Sequence, residues 1–184
     1  MRIFKRILSQ LHRYVFWAII STIFWAWIFW AFVTDTLPRN KVELYAHAEI
    51  PSERDMTVAL EAEPLPEGIR LIKVHSYSSV MFDSETPTHA DLYIVSESDV
   101  AEGVDGFGVM PARNEGDLVR DGKVYGWRVY DAKTGEGCAS SYLTFDPNEN
   151  YYLCVNVNSK HAAAWNGSGD DAAIEIAGRI LELP

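Results

Sequence analysis

The alternation of apolar and polar positions changes twice along this chain. From Val15 to Val33 there is none: VFWAIISTIFWAWIFWAFV carries no charge, proline or glycine, and only Ser21 and Thr22 are polar. Nineteen such residues in a helix rise ~28 Å at ~1.5 Å each, close to the ~30 Å hydrocarbon layer of a bilayer. The run predicts a transmembrane helix over 14–34. A core helix would show a polar face, and this one does not. The run is also longer and bulkier than a cleaved signal segment, and no small-x-small pair follows it.

After a polar linker, 35–40, a period of two begins. Lys41–Ala48 sets Val42, Leu44, Ala46 and Ala48 against Lys41, Glu43, Tyr45 and His47, which predicts a strand. Ile50–Glu63 predicts a short helix capped by Ser52 or Asp55, with Met56, Ala59, Leu60 and Ala62 inward. Pro64–Gly68 ends it. Ile69–Val74 and Asp91–Val95 predict two more strands. The stretch from His75 to Thr88 between them reads as polar, then loosely helical or coiled. Ser98 or Asp99 is expected to cap a helix near Val100–Gly103, and Gly103–Gly122 reads as loop.

The second half predicts strands at Lys123–Tyr130, Cys138–Phe145 and Tyr151–Val157. The last two are read as a hairpin about Asp146–Asn150. A final helix over Asp170–Leu183, capped by Asp170 or Ser168, turns Ala173, Ile176, Ala177 and Ile180 to one side. Strands alternating with helices imply right-handed crossovers. The class is α/β: an N-terminal transmembrane helix, then one three-layer-like domain over 41–184 with a mixed, largely parallel sheet and a C-terminal helix.

Charge orients the chain. Arg2, Lys5, Arg6 and Arg13 precede the span with no acid among them, so 1–13 is expected in the cytoplasm as a basic amphipathic segment and the C-terminal domain outside. Ile3, Phe4, Ile7, Leu8 and Leu11 either lie along the inner headgroups or extend the span. Trp25 and Trp27, deep in the span, face lipid or a partner helix. All 26 Asp and Glu follow the span with 12 of the 16 Lys and Arg, a formal charge of −14. That balance excludes nucleic acid as a partner and disfavours an anionic membrane surface.

The two cysteines, Cys138 and Cys154, lie in the exported part, where a disulfide can form. In the hairpin register that pairs Phe145 with Tyr151, Cys154 faces Tyr142. Cys138 then lies about 13 Å further along, beyond the ~7 Å reach of a disulfide. They are expected unpaired. Neither C-x-x-C nor a metal-ligand spacing occurs.

The stretches KVELYAHAEI, GIRLIKVHSYSS and THADLYIVSESDVAEG, in that order around a helix, resemble the first lobe of bacterial extracellular solute-binding proteins, the type 2 periplasmic-binding fold. The closing segment YYLCVNVNSKHAAAW with its final helix is similar to the strand that returns into that lobe. The resemblance implies a bacterial source, a shallow groove over the strand ends and work beside a membrane transport assembly. A second lobe is not part of it, so clamshell closure is not implied.

In open parallel sheets, ligands sit beyond the carboxyl ends of strands. Those ends carry His47 and Glu49, then His75, Ser76, Tyr77, Ser78 and Ser79, then Ser96 and Glu97, then Asn158, Ser159 and His161. One shared rim holding a small polar ligand would use His75, Ser76, Ser78, Ser96, Asn158, Ser159 and His161. The plainer account is that these are loop polars and helix caps. A metal held by His47, His75 and His161 needs all three to converge and is not assigned. No G-x-S-x-G, H-E-x-x-H or phosphate-binding glycine loop is present, so no catalytic residue and no cofactor is expected. Asn166–Ser168 matches a glycosylation acceptor, which a turn before the last helix also explains. The function expected is a membrane-tethered binding or accessory subunit. Its rival is an envelope assembly protein with no small ligand.

Overall fold

The structure is a computed structural model that describes residues 2–29, 36–76, 90–162 and 170–184. The chain divides into two compact units, Met1–Leu37 and Pro38–Pro184.

The first unit contains α1 (Arg2–Phe29). Its stretch Leu11–Phe29 is long and apolar enough to cross a membrane, and no part of it is buried in the protein. Phe16, Trp17, Ile23, Phe24 and Trp25 all stand exposed. Thr22 sends its hydroxyl back to the Ala18 carbonyl at 2.9 Å, which satisfies the polar group inside the helix, as an apolar surrounding demands. Residues 2–13 and the expected span as far as Phe29 are one continuous helix. The stretch 30–35 lies outside the described residues.

The second unit is the mixed α/β domain that the alternation predicts. It is built from β1 (Lys41–Ala46), α2 (Glu53–Leu60), β2 (Leu71–Ser76), β3 (Leu92–Ser96), α3 (Glu97–Gly103), β4 (Leu118–Arg120), β5 (Lys123–Asp131), β6 (Glu136–Gly137), β7 (Tyr151–Val155) and α4 (Ala172–Glu182). The seven-stranded sheet runs β2-β1-β3-β7-β5-β4, with β6 beside β5. β1 is parallel to both β2 and β3. β7 reverses the direction, and its pairings with β3 and β5, like those of β4 and β6 with β5, are antiparallel. The parallel part is thus confined to three strands, because the central strand β7 enters the sheet from the far end.

Two faces are covered. On one, Met56 and Leu60 of α2 and Ala173, Ile176, Ala177 and Ile180 of α4 pack on Val42, Leu44, Ile72, Ile94 and Leu153. On the other, Val95, Val100, Tyr152 and Cys154 form a smaller cluster with Tyr93 and Phe107. α2 is shorter than expected. Ser52 caps it, accepting from the Asp55 amide at 3.2 Å, and Glu61 already ends it, so Ala62 is exposed and Ala59 only half-buried. Arg179 of α4 holds that end in place, donating to the carbonyl oxygens of Leu60, Glu63 and Pro64, the last at 2.6 Å. The cap of α3 is Ser96, whose Oγ accepts from the Asp99 amide at 3.3 Å, rather than Ser98 or Asp99. Within Gly103–Gly122 the chain makes a 3-10 turn, Val104–Gly106, and then β4.

The expected hairpin is not formed. β7 is buried along its whole length and has a strand on each side, so no edge is left for 138–145. Residues 138–142 are turns, with Ala139 at φ 56°, and Thr144 makes an isolated antiparallel bridge with Glu49. The Cys138 amide bonds to Val129, and those of Ala139 and Ser141 bond to Leu183 and Pro184. Phe145 meets Tyr151 only through their rings, 5.0 Å apart. Cys154 faces Tyr93 and Gly126, not Tyr142. A Cβ on Gly126 would lie 2.8 Å from its sulfur, which is why β5 carries a glycine there. Both cysteines are free thiols, and the hairpin register from which their separation was argued is not formed.

Candidate functional site

The residues expected on one rim divide between opposite ends of the sheet. β7 runs antiparallel to β3, so its carboxyl end lies beside the amino end of β3. His75, Ser76 and Ser96 lie at one end, with His47. Asn158, Ser159 and His161 lie at the other. Ser78 is outside the described residues, as is Asn166–Ser168.

At the first end, His47 Nδ1 contacts the Asp99 carboxylate. Ser96 donates to the same oxygen, Oδ2, at 2.9 Å. Ser98 donates to Glu149 at 2.8 Å, and the Asn150 side-chain amide to Glu97 at 2.7 Å. Ser76 donates to the Ala48 carbonyl at 3.2 Å. His75 stacks on Tyr45 with centroids 4.9 Å apart. Burial, with Glu43 nearby, pushes the Tyr45 phenol up. Asp99 thus takes both the imidazole and the hydroxyl. A nucleophile–base relay would have the Ser96 hydroxyl on the imidazole instead; here Ser96 donates to the Asp99 carboxylate.

At the other end, Asp91, Asn156, Ser159 and His161 are all buried. Ser159 Oγ donates to Asp91 Oδ1 at 2.7 Å and accepts from the His161 amide at 3.1 Å. Asp91 Oδ2 accepts the Glu43 amide at 3.0 Å. The His161 ring reaches Asp170 Oδ2 through Nδ1 at 2.7 Å and the Pro38 carbonyl through Nε2 at 3.2 Å. Asn156 donates to the Ala90 carbonyl at 2.7 Å, and its oxygen accepts the Asn158 amide at 2.8 Å. Asn158 contributes its backbone to this network and is itself exposed. Asp170 also accepts the Ala172 amide at 2.9 Å, but the N-cap of α4 is Asp171, one residue past the expected Asp170, and it makes no side-chain capping bond. Burial drives the Asp91 carboxyl above its ordinary value, against the opposing pull of the Ser159 hydroxyl, the Glu43 amide and His161.

This second network ties together β1, β3, the extension of β7 and the entry to α4. Asp91, Asn156 and Asp170 were not among the residues expected to form a site. The one available signal was an acid and an asparagine directly flanking the apolar runs LYIV and YYLCV. His161 stands at the opposite end from His47 and His75, and no group of three metal-binding side chains gathers among the described residues.

A surface groove of about 530 Å³ borders the second network at Asp170 and is otherwise lined by Pro66, Glu67, Asp171, Ala172, Ile174 and Glu175. Its charged lining is entirely acidic. Compared with protein-family models, curated proteins and solved structures, the chain matches none at a significant level.

Proposed function

We propose that this is a non-enzymatic single-pass membrane protein that serves as an assembly or accessory module. Its N-terminus is in the cytoplasm, its acidic domain lies outside, and it works against a membrane-protein partner rather than by trapping a solute. The observation that carries this reading is that the polar side chains at both ends of the sheet bond to one another. Ser96, Asp99 and His47 close one network; Asp91, Ser159, His161 and Asp170 close the other. A solute site aims unsatisfied polar groups into a cavity, and these groups already have partners. The bases before the span support the orientation. The resemblance to a solute-binding lobe suggests a transport assembly as the partner.

Crosslinking in intact membranes, followed by mass spectrometry of what remains attached to the full chain, tests the reading. The expected result is a specific membrane-protein neighbour and no rise in melting temperature across a panel of polar metabolites. A metabolite that raises the melting temperature by several degrees, with no neighbour captured, overturns it in favour of the solute-binding alternative. Protease added to intact cells should remove the C-terminal domain.

A further inference from the structure

Among the described residues β2 is an edge strand, paired only with β1. Backbone groups along a strand alternate between its two sides. The N–H and C=O of Glu43 in β1 both face Asp91, ahead of β3. The residues of β1 that serve β2 are therefore Val42, Leu44 and Ala46. The β2 residues that meet them are Leu71, Lys73 and His75, and Ile72, Val74 and Ser76 point their amides off the sheet. Carboxylates occupy two of these outward positions. The Ile72 amide donates to Glu61 Oε1 at 3.0 Å, and the Ser76 amide to Glu53 Oε1 at 2.9 Å.

Both glutamates come from one element: Glu53 opens α2 and Glu61 closes it. The match in length is physical. Four strand residues, Ile72 to Ser76, span about 13 Å, and the eight from Glu53 to Glu61 span about 12 Å of helix. The crossover helix thus lays one acceptor at each end of the strand it leads into. Each oxygen stands where the carbonyl of a neighbouring strand would stand.

We propose that Glu53 and Glu61 are an edge guard that prevents β2 from pairing with β2 of a second copy of this chain. An open edge is a template for another strand. β2 has no proline, and its register with β1 is regular, so neither of two common means of blunting an edge is present. Copies held in one bilayer by their helices meet at a raised effective concentration, and the second copy is the neighbour always present.

The test uses the full chain in detergent micelles, with its mass followed by light scattering as the protein-to-detergent ratio rises. E53A/E61A is expected to show a concentration-dependent doubling of the wild-type mass. E53Q/E61Q keeps an acceptor oxygen at both places and should match wild type. E63A/E67A removes the same charge nearby without touching β2 and should match it too. The idea is overturned if E53A/E61A keeps the wild-type mass throughout, or if E63A/E67A associates equally. Hydrogen exchange in the wild-type chain gives a second reading that needs no variant. The Ile72 and Ser76 amides should exchange at least tenfold more slowly than that of Val74 between them, and equal rates overturn the guard.

Discussion

Asp91 is the residue whose replacement tests the buried network most directly. Its carboxylate accepts two hydrogen bonds, from the Ser159 hydroxyl and the Glu43 amide, and it is 6% exposed. In Asp91→Ala both donors lose their acceptor. A buried donor left unsatisfied costs about 1–3 kcal/mol, so the two together cost about 2–6. Removing a desolvated charge returns part of this, and a net loss of about 2–3 kcal/mol is expected. Asp91→Asn behaves differently. Its oxygen can take the Glu43 amide and its NH2 can donate to Ser159 Oγ, which leaves only the serine proton without a partner, so a loss of about 1 kcal/mol is expected.

The pH dependence provides the sharper check. Burial holds the Asp91 carboxyl above its ordinary value of 3.8, so the folded state binds that proton more tightly than the unfolded state. The stability this supplies is full below 3.8 and is lost as pH rises through the elevated folded value. Asp91→Asn lacks this dependence, so its deficit against wild type should be larger at pH 3.5 than at pH 7. Urea unfolding of the full chain in micelles, followed by circular dichroism, measures all three proteins at both pH values. An alanine variant within 0.5 kcal/mol of wild type, or an asparagine deficit that does not grow in acid, would refute the reasoning.

Two further predictions concern the crowded seam between β5 and β7. Gly126→Ala should cost about 1–3 kcal/mol by overpacking, since its Cβ would press on the Cys154 sulfur at 2.8 Å. Adding Cys154→Ala should recover part of the loss in a double-mutant cycle; strict additivity would mean that the clash lies elsewhere. Cys154 is fully buried and Cys138 partly buried, and burial pushes both thiols up. A thiol-specific reagent should therefore label the native chain slowly, at no more than one site, and label both in denaturant. Rapid labelling of Cys154 in the native chain would contradict its placement.

What could be read from the sequence was whatever follows from local periodicity. β1 alternates strictly, and α4 places Ala173, Ile176, Ala177 and Ile180 at helical spacing. Both were recognised, α4 with the correct inward residues; β1 ends at Ala46 rather than Ala48, and Tyr45, read as outward, is buried. The run YYLCV was recognised as a strand but given the wrong neighbours. A strand buried on both faces has no alternation to show which strands flank it, and the nearby turn Asp146–Asn150 suggested a hairpin. The expected rim divides between two ends of the sheet for the same reason. Whether Ser159 shares a rim with Ser76 depends on the direction in which β7 enters the sheet, and strand direction is a long-range property. Asp91 was visible only as an acid before an apolar run, which most often means a turn.

The grip of His161 on Pro38 has a mechanical consequence. Pro38 is the first residue of the second unit. Tension applied to the chain at Pro38 first meets His161, whose ring is held by Asp170 and whose amide is held by Ser159 and through it by Asp91, so the load spreads across four distant stretches of sequence before it can peel β1 from its neighbours.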